Sequence, residues 1–102
     1  MIYEYKNIYD QLFQFLRANG LCRSKAEYSR LFLGRSRTYW NIINALNKSP
    51  SPEVVGTLIV ALENIIAGGK PIGERTSEMV GNFINKIKTD LAFHQKEVSN
   101  GL

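Results

Sequence analysis

The sequence predicts a compact all-α fold of five helices, the last a C-terminal amphipathic helix able to mediate dimerisation. Three observations carry this expectation. No window alternates apolar and polar residues with flanking turn signals, so strands are not favoured. Apolar residues recur instead at three- and four-residue intervals. Helix stop and start signals divide the chain at Asn19-Gly20, Ser24, Gly34, Ser51-Pro52 and Gly68-Gly69. With 102 residues and 44% hydrophobic content, the chain can bury one modest core.

The first helix is expected from Glu4 to Arg17, its stripe formed by Tyr5, Ile8, Tyr9, Leu12, Phe13 and Leu16. Asn19-Gly20 closes it, since both residues accept a left-handed conformation. Ser24 opens the second helix, and Glu27 three residues later completes a capping box. That helix should reach Leu33, with Tyr28, Leu31 and Phe32 inward, and end at Gly34. Ser36 is placed to cap a third helix over Arg37–Leu46, with Trp40, Ile43 and Leu46 on its buried side. Ser51, Pro52 and Glu53 then supply a cap, a first-turn proline and a charge suited to the helix dipole. They open a fourth helix whose face of Val54, Val55, Leu58, Ile59, Leu62, Ile65 and Ile66 is apolar enough to force burial. A fifth helix is expected from Ser77 to Val98. The resulting division is a domain over 1–69, a connector over 70–76 and a C-terminal helix over 77–102.

The chemistry available to an enzyme is sparse. His94 is the one histidine and Cys22 the one cysteine, so no His/Cys cluster for a transition metal exists and no intramolecular disulfide can form. Gly68-Gly69-Lys70-Pro71 lacks the Ser or Thr after lysine that a phosphate loop requires. The sequence therefore predicts no enzyme, no cofactor and no small-molecule substrate. The longest apolar run is Leu58–Leu62, far short of the ~20 residues of a membrane helix. With an early acid at Glu4 and no secretory pattern, a reducing cytoplasmic setting is expected.

Charge is concentrated. Between Arg17 and Lys48 lie seven bases and one acid, a net +6 within a total of +4. A basic block between mildly acidic arms suits a polyanion, although a solvated face would carry the same residues.

Within that block, two short helices flank a glycine turn, the first basic and the second polar on its outer side: a helix-turn-helix pattern. The run Ser24-Lys25-Ala26-Glu27-Tyr28-Ser29, then Leu33-Gly34-Arg35-Ser36-Arg37-Thr38-Tyr39-Trp40, then Ile43 and Ser51-Pro52-Glu53, resembles the Cro/C1-type, lambda-repressor-like DNA-binding domains over residues 8–67. Two features depart from that family. Ser29 and Gly34 are five steps apart where four are usual, which predicts a turn one residue longer, and Arg35 stands where an apolar residue is usual. The resemblance implies a third helix in the major groove of double-stranded DNA.

In such a docking the recognition helix meets base edges and the preceding helix crosses the backbone. Arg37 suits guanine and Asn41 adenine, each by paired hydrogen bonds, with Thr38 and Asn44 as further base readers. Arg23, Ser24, Lys25, Arg35, Ser36, Tyr39 and Lys48 are the expected backbone contacts, which position without specifying. Trp40 and Cys22 belong to the core on this reading. Val80, Ile84, Ile87, Leu91, His94 and Val98 recur with a 3.5-residue period, a seam expected to join a homodimer. A small repressor that blocks polymerase is the leading expectation. The rival is an inhibitor or adaptor whose basic face meets an acidic protein. A single-strand or RNA binder ranks last, because the aromatic residues fall on core stripes.

Overall fold

The computed structural model describes residues 7–46, 48–68 and 72–100, with side chains as far as 92. Among the described residues there are five helices and no strand: α1 (Ile8–Ala18), α2 (Lys25–Glu27, continued by a π-helical segment, Tyr28–Phe32), α3 (Tyr39–Ala45), α4 (Pro52–Ala67) and α5 (Glu74–Asn100). Contacts divide the chain into two units, Met1–Leu58 and Ile59–Leu102, a division that falls inside α4.

In the first unit, α1 begins later than its apolar stripe suggests. The side chain of Asn7, in an extended backbone, accepts the N–H groups of Tyr9 and Asp10 at 2.9 and 3.0 Å and caps the helix there. The expected earlier turn with Glu4 and Tyr5 lies outside the described residues. Gly20 closes the helix with φ +72, after Asn19 has returned its backbone and side-chain N–H groups to the carbonyl of Phe15. Tyr9, Leu12, Phe13 and Leu16 are buried, as their spacing requires.

The second helix departs most from its expectation. The Leu33 N–H donates to the carbonyl of Tyr28, five residues back, at 3.0 Å. This is one turn of π-helix. The five steps from Ser29 to Gly34 thus include a wide turn of the helix itself. A wider turn brings the residues four and five after Tyr28 back over it, so Phe32 and Leu33 are buried. Leu31, expected inward, is 65% exposed. Gly34 then turns the chain with φ +67, and a Cβ there would stand 3.1 Å from the Thr57 methyl.

The third helix is shorter than expected, Tyr39–Ala45, with Arg37 and Thr38 in the turn before it. Trp40 and Ile43 face inward; Leu46 does not, being 59% exposed. Ser51 caps α4, and Pro52 and Glu53 occupy its first turn. Val54, Val55 and Leu58 complete the buried set of the first unit.

In the second unit, Ile59 and Leu62 of α4 and Val80, Ile84 and Ile87 of α5 are buried, while Ile65 is half-buried and Ile66 exposed, against expectation. A Lys88–Glu63 ion pair at 3.8 Å joins the two helices. α5 starts three residues earlier than predicted, so residues 74–76 are helix and not connector. Gly73, with φ +78, precedes Glu74, whose charge suits the helix start. Gly69, Lys70 and Pro71 lie outside the described residues. The expected dimer seam is largely used up inside the chain: Val80, Ile84 and Ile87 are 6% exposed or less and Leu91 is half-buried. The side chains of His94 and Val98 lie outside the described residues.

Gly34→Ala is expected to lower unfolding free energy by about 1–2 kcal/mol from its positive φ alone, and by more because of the Thr57 methyl. In a Thr57→Ser background the added part should disappear. Urea midpoints of the four proteins check this, and equal losses in both backgrounds would remove the steric component.

Candidate nucleic-acid interface

The α2–α3 pair is assembled around two adjacent side chains. Ser29 is fully buried; its hydroxyl donates to the carbonyl of Lys25 at 3.0 Å and accepts the N–H of Trp40 at 2.9 Å. That N–H lies in the first turn of α3 and has no partner within the helix. Thr38, at the N-cap position, makes no side-chain cap bond. Ser36, expected to cap α3, is exposed and does not do so; the role passes to a serine of the neighbouring helix.

Tyr28 holds the other side. Its ring centroid stands 5.2 Å from those of Phe13 and Trp40, edge-on to the latter, and its hydroxyl donates to the carbonyl of Tyr9 at 3.0 Å. Burial pushes the phenol well above its usual 10.0. Cys22, buried and donating to the carbonyl of Ser24 at 3.3 Å, is likewise raised, chiefly by burial.

Outward from this core, the start of α2 keeps its capping box in modified form. Ser24 Oγ accepts the Glu27 N–H at 3.1 Å, and Glu27 Oε1 accepts the N–H of Arg23, one residue before the cap, at 3.2 Å. Arg23, Ser24, Lys25, Arg35, Ser36 and Lys48 are all exposed, as backbone contacts must be; Tyr39 is half-buried. Arg35 is turned toward α4, where its guanidinium meets Glu53 at 3.6 Å. With the two side chains 43% and 86% exposed, this pair is weak enough for a phosphate to displace.

Successive residues of α3 are rotated by about 100°, so burial of Trp40 and Ile43 leaves an outer arc running Asn41, Ala45, Thr38, Ile42, Leu46. All five are exposed. Thr38 and Asn41 therefore occupy the face on which base readers would stand. Asn44 does not: it is half-buried with its Oδ1 covered by protein, because it lies on the Trp40 side of the helix. Arg37, in the turn ahead of the helix, lines an open hollow of about 300 Å³ with Ser24, Ala26, Glu27, Arg30 and Leu31.

Arg30 has no individual role in the sequence reading, yet it shares this hollow with Arg37. The usable signal was the five-step spacing from Ser29 to Gly34. Read as a wide turn, it sends Leu31 outward beside Arg30. No acidic residue occurs between Tyr28 and Lys48; the acids beside these bases are Glu27, which lines the hollow, and Glu53, which meets Arg35.

An all-helical chain with two short helices clasped by a buried serine is the class that this geometry defines. The chain belongs to a family of unknown function (DUF6626), whose model matches residues 8–99. No curated protein and no solved structure matches it. Among the described residues no group of three His, Cys, Asp or Glu is placed to hold a metal ion, and no helix is long and apolar enough to cross a membrane.

Ser29→Ala leaves the Trp40 N–H buried without its acceptor and is expected to cost about 1–3 kcal/mol in urea unfolding. A loss within the ~0.5 kcal/mol typical of surface changes would mean that the clasp is dispensable.

Alkaline pH provides a separate test. The unfolded chain ionises a tyrosine near 10.0, whereas folding disfavours the phenolate of Tyr28. Above that pH the folded state binds more protons than the unfolded, so stability falls as pH rises. Cys22 adds an earlier decline, from about its usual 9.0. In Tyr28→Phe the component above pH 10 should vanish. An equally steep decline in that variant, followed by urea midpoints across pH, would assign the effect to other groups.

Proposed function

We propose that the protein binds double-stranded DNA sequence-specifically, with α3 in the major groove and the start of α2 against the phosphate backbone. One observation carries this reading: Arg30 and Arg37 line one hollow with Ser24 at the start of α2, the bases Lys25 and Arg35 near them in the chain are exposed, and Thr38 and Asn41 stand on the exposed outer arc of α3. An α-helix with its side chains is about 10–12 Å across and fits a groove about 12 Å wide. Asn41 has the geometry for adenine and Arg37 for guanine. Arg23, Ser24, Lys25, Arg30 and Lys48 serve as backbone contacts, and the weakly paired Arg35 joins them.

The role that follows is a small transcriptional regulator in the cytoplasm, acting by occupancy of its site and most simply as a repressor. The proposal is made for one chain. A homodimer through the α5 seam draws no support from residues already buried in the chain, Val80, Ile84 and Ile87.

Titration of random duplex against salt tests the class: affinity should fall with a log–log slope near −0.9 per phosphate contact. Undetectable duplex binding at low salt would favour the rival reading, a basic face for an acidic protein. Across a library of sites, Arg37→Ala or Asn41→Ala should lose about 1–3 kcal/mol on the preferred site and relax specificity there. Lys25→Ala should weaken all sequences alike and flatten the slope by about one unit. Identical profiles for Arg37→Ala and Lys25→Ala would remove the turn before α3 from the reading surface.

A further inference from the structure

The outer arc of α3 is polar on one side only. Past Asn41 it becomes a run of methyl groups: Ala45, Thr38, then Ile42 and Leu46, 54% and 59% exposed. Two large aliphatic side chains more than half exposed on one short helix, at a four-residue spacing, form an unpartnered stripe. Basic residues bracket it in the chain, Arg35 and Arg37 before and Lys48 after.

The bracketing charge limits what can cover the stripe. A second copy would bring one +6 segment against another, and like charges oppose that pairing. A polyanion is drawn to the same bases. Within the major groove, an aliphatic side chain set against a base-edge donor or acceptor would strip that group of water and leave it unpaired. Thymine alone presents a methyl group there.

Resting on the DNA-binding reading above, we infer that α3 selects its site in large part by thymine methyl groups, with Ile42 as the principal contact and the Thr38 and Leu46 methyls beside it. The preferred site then holds thymine on pairs next to the adenine read by Asn41. Specificity along the stripe comes from apolar contact, beside the bases read by Asn41 and Arg37, and the phosphate contacts supply affinity.

Deoxyuridine lacks the 5-methyl group and keeps every hydrogen-bonding edge of thymine, so it isolates the contact. The full chain is first used to select bound fragments from a random duplex library. Each thymine of the selected duplex is then replaced singly by deoxyuridine and the dissociation constant measured. Replacement at one or two positions is expected to weaken binding about fourfold per methyl removed. Ile42→Ala, a change at an exposed position, should bind the thymine and uracil forms equally at one of them and keep its discrimination elsewhere.

A duplex bound with clear sequence preference but indifferent to uracil at every thymine would overturn this inference and leave the DNA-binding reading standing. Absence of any duplex binding would overturn both. An Ile42→Ala protein that changes its sedimenting size while keeping the thymine preference would assign the stripe to contact between copies, against the inference.

Discussion

The N–H of Trp40 opens the first turn of α3, where a helix cannot satisfy its own donors, and it is buried. The Ser29 hydroxyl takes that donor at 2.9 Å while giving its own hydrogen to the Lys25 carbonyl. One side chain thereby closes the accounts of two helices. It sets the distance between them and fixes where α3 starts. Everything on the exposed surface inherits its position from this bond: the start of α2 on one side, and Arg37, Thr38 and Asn41 on the other. Tyr28, the preceding residue, secures the same junction from within, wedged between Phe13 and Trp40 and tied to α1 through the Tyr9 carbonyl.

A regular α-helix through Tyr28 would place Leu31 beneath it and send Leu33 elsewhere. The π-helical turn reverses this, burying Leu33 and exposing Leu31. It also delivers the Arg35 N–H to the Ser29 carbonyl at 2.9 Å, a bond that spans Gly34 and holds the chain as it turns there. Gly34 faces a second demand besides its positive φ, because the Thr57 methyl of α4 would stand only 3.1 Å from a Cβ there. The second helix, the loop and the start of α4 are therefore fitted to one another, and the π-helical turn is a built feature of that fit.

The exposed surface combines two kinds of group with different consequences for recognition. Arginine and lysine set against phosphate hold any backbone alike, whatever its sequence. Amides and methyl groups on α3 make contacts that depend on base identity. Because the fully buried stripe of α3 is narrow, Trp40 and Ile43 alone, Asn41, Ile42 and Ala45 are left exposed along one side of this short helix. In α5 the balance is the opposite. Its heptad spacing matches an intermolecular seam, but a stripe of that spacing serves equally to bury the helix within its own chain, and Val80, Ile84 and Ile87 are buried.

Periodicity and local chemistry were enough to place all five helices in order, and to assign Tyr9, Leu12, Phe13, Leu16, Trp40 and the Val54–Leu62 face to the interior. Those signals are local: a cap bonds within three residues, and an amphipathic face repeats within two turns. The basic surface was legible for the same reason, since its charges are clustered in the chain. Helix length, phase and availability were not legible. Ser36 has the right chemistry to cap α3, but the cap came from Ser29, eleven residues before Trp40 and brought near only by folding. Leu31 and Leu46 read as core and are exposed, Asn44 reads as a surface amide and has its oxygen covered, and Arg35 reads as a free base and meets Glu53. Each of these outcomes depends on what lies across from the residue in space. A one-dimensional pattern records which side of a helix is apolar; only the packed chain decides how far that side is turned, and what stands opposite it.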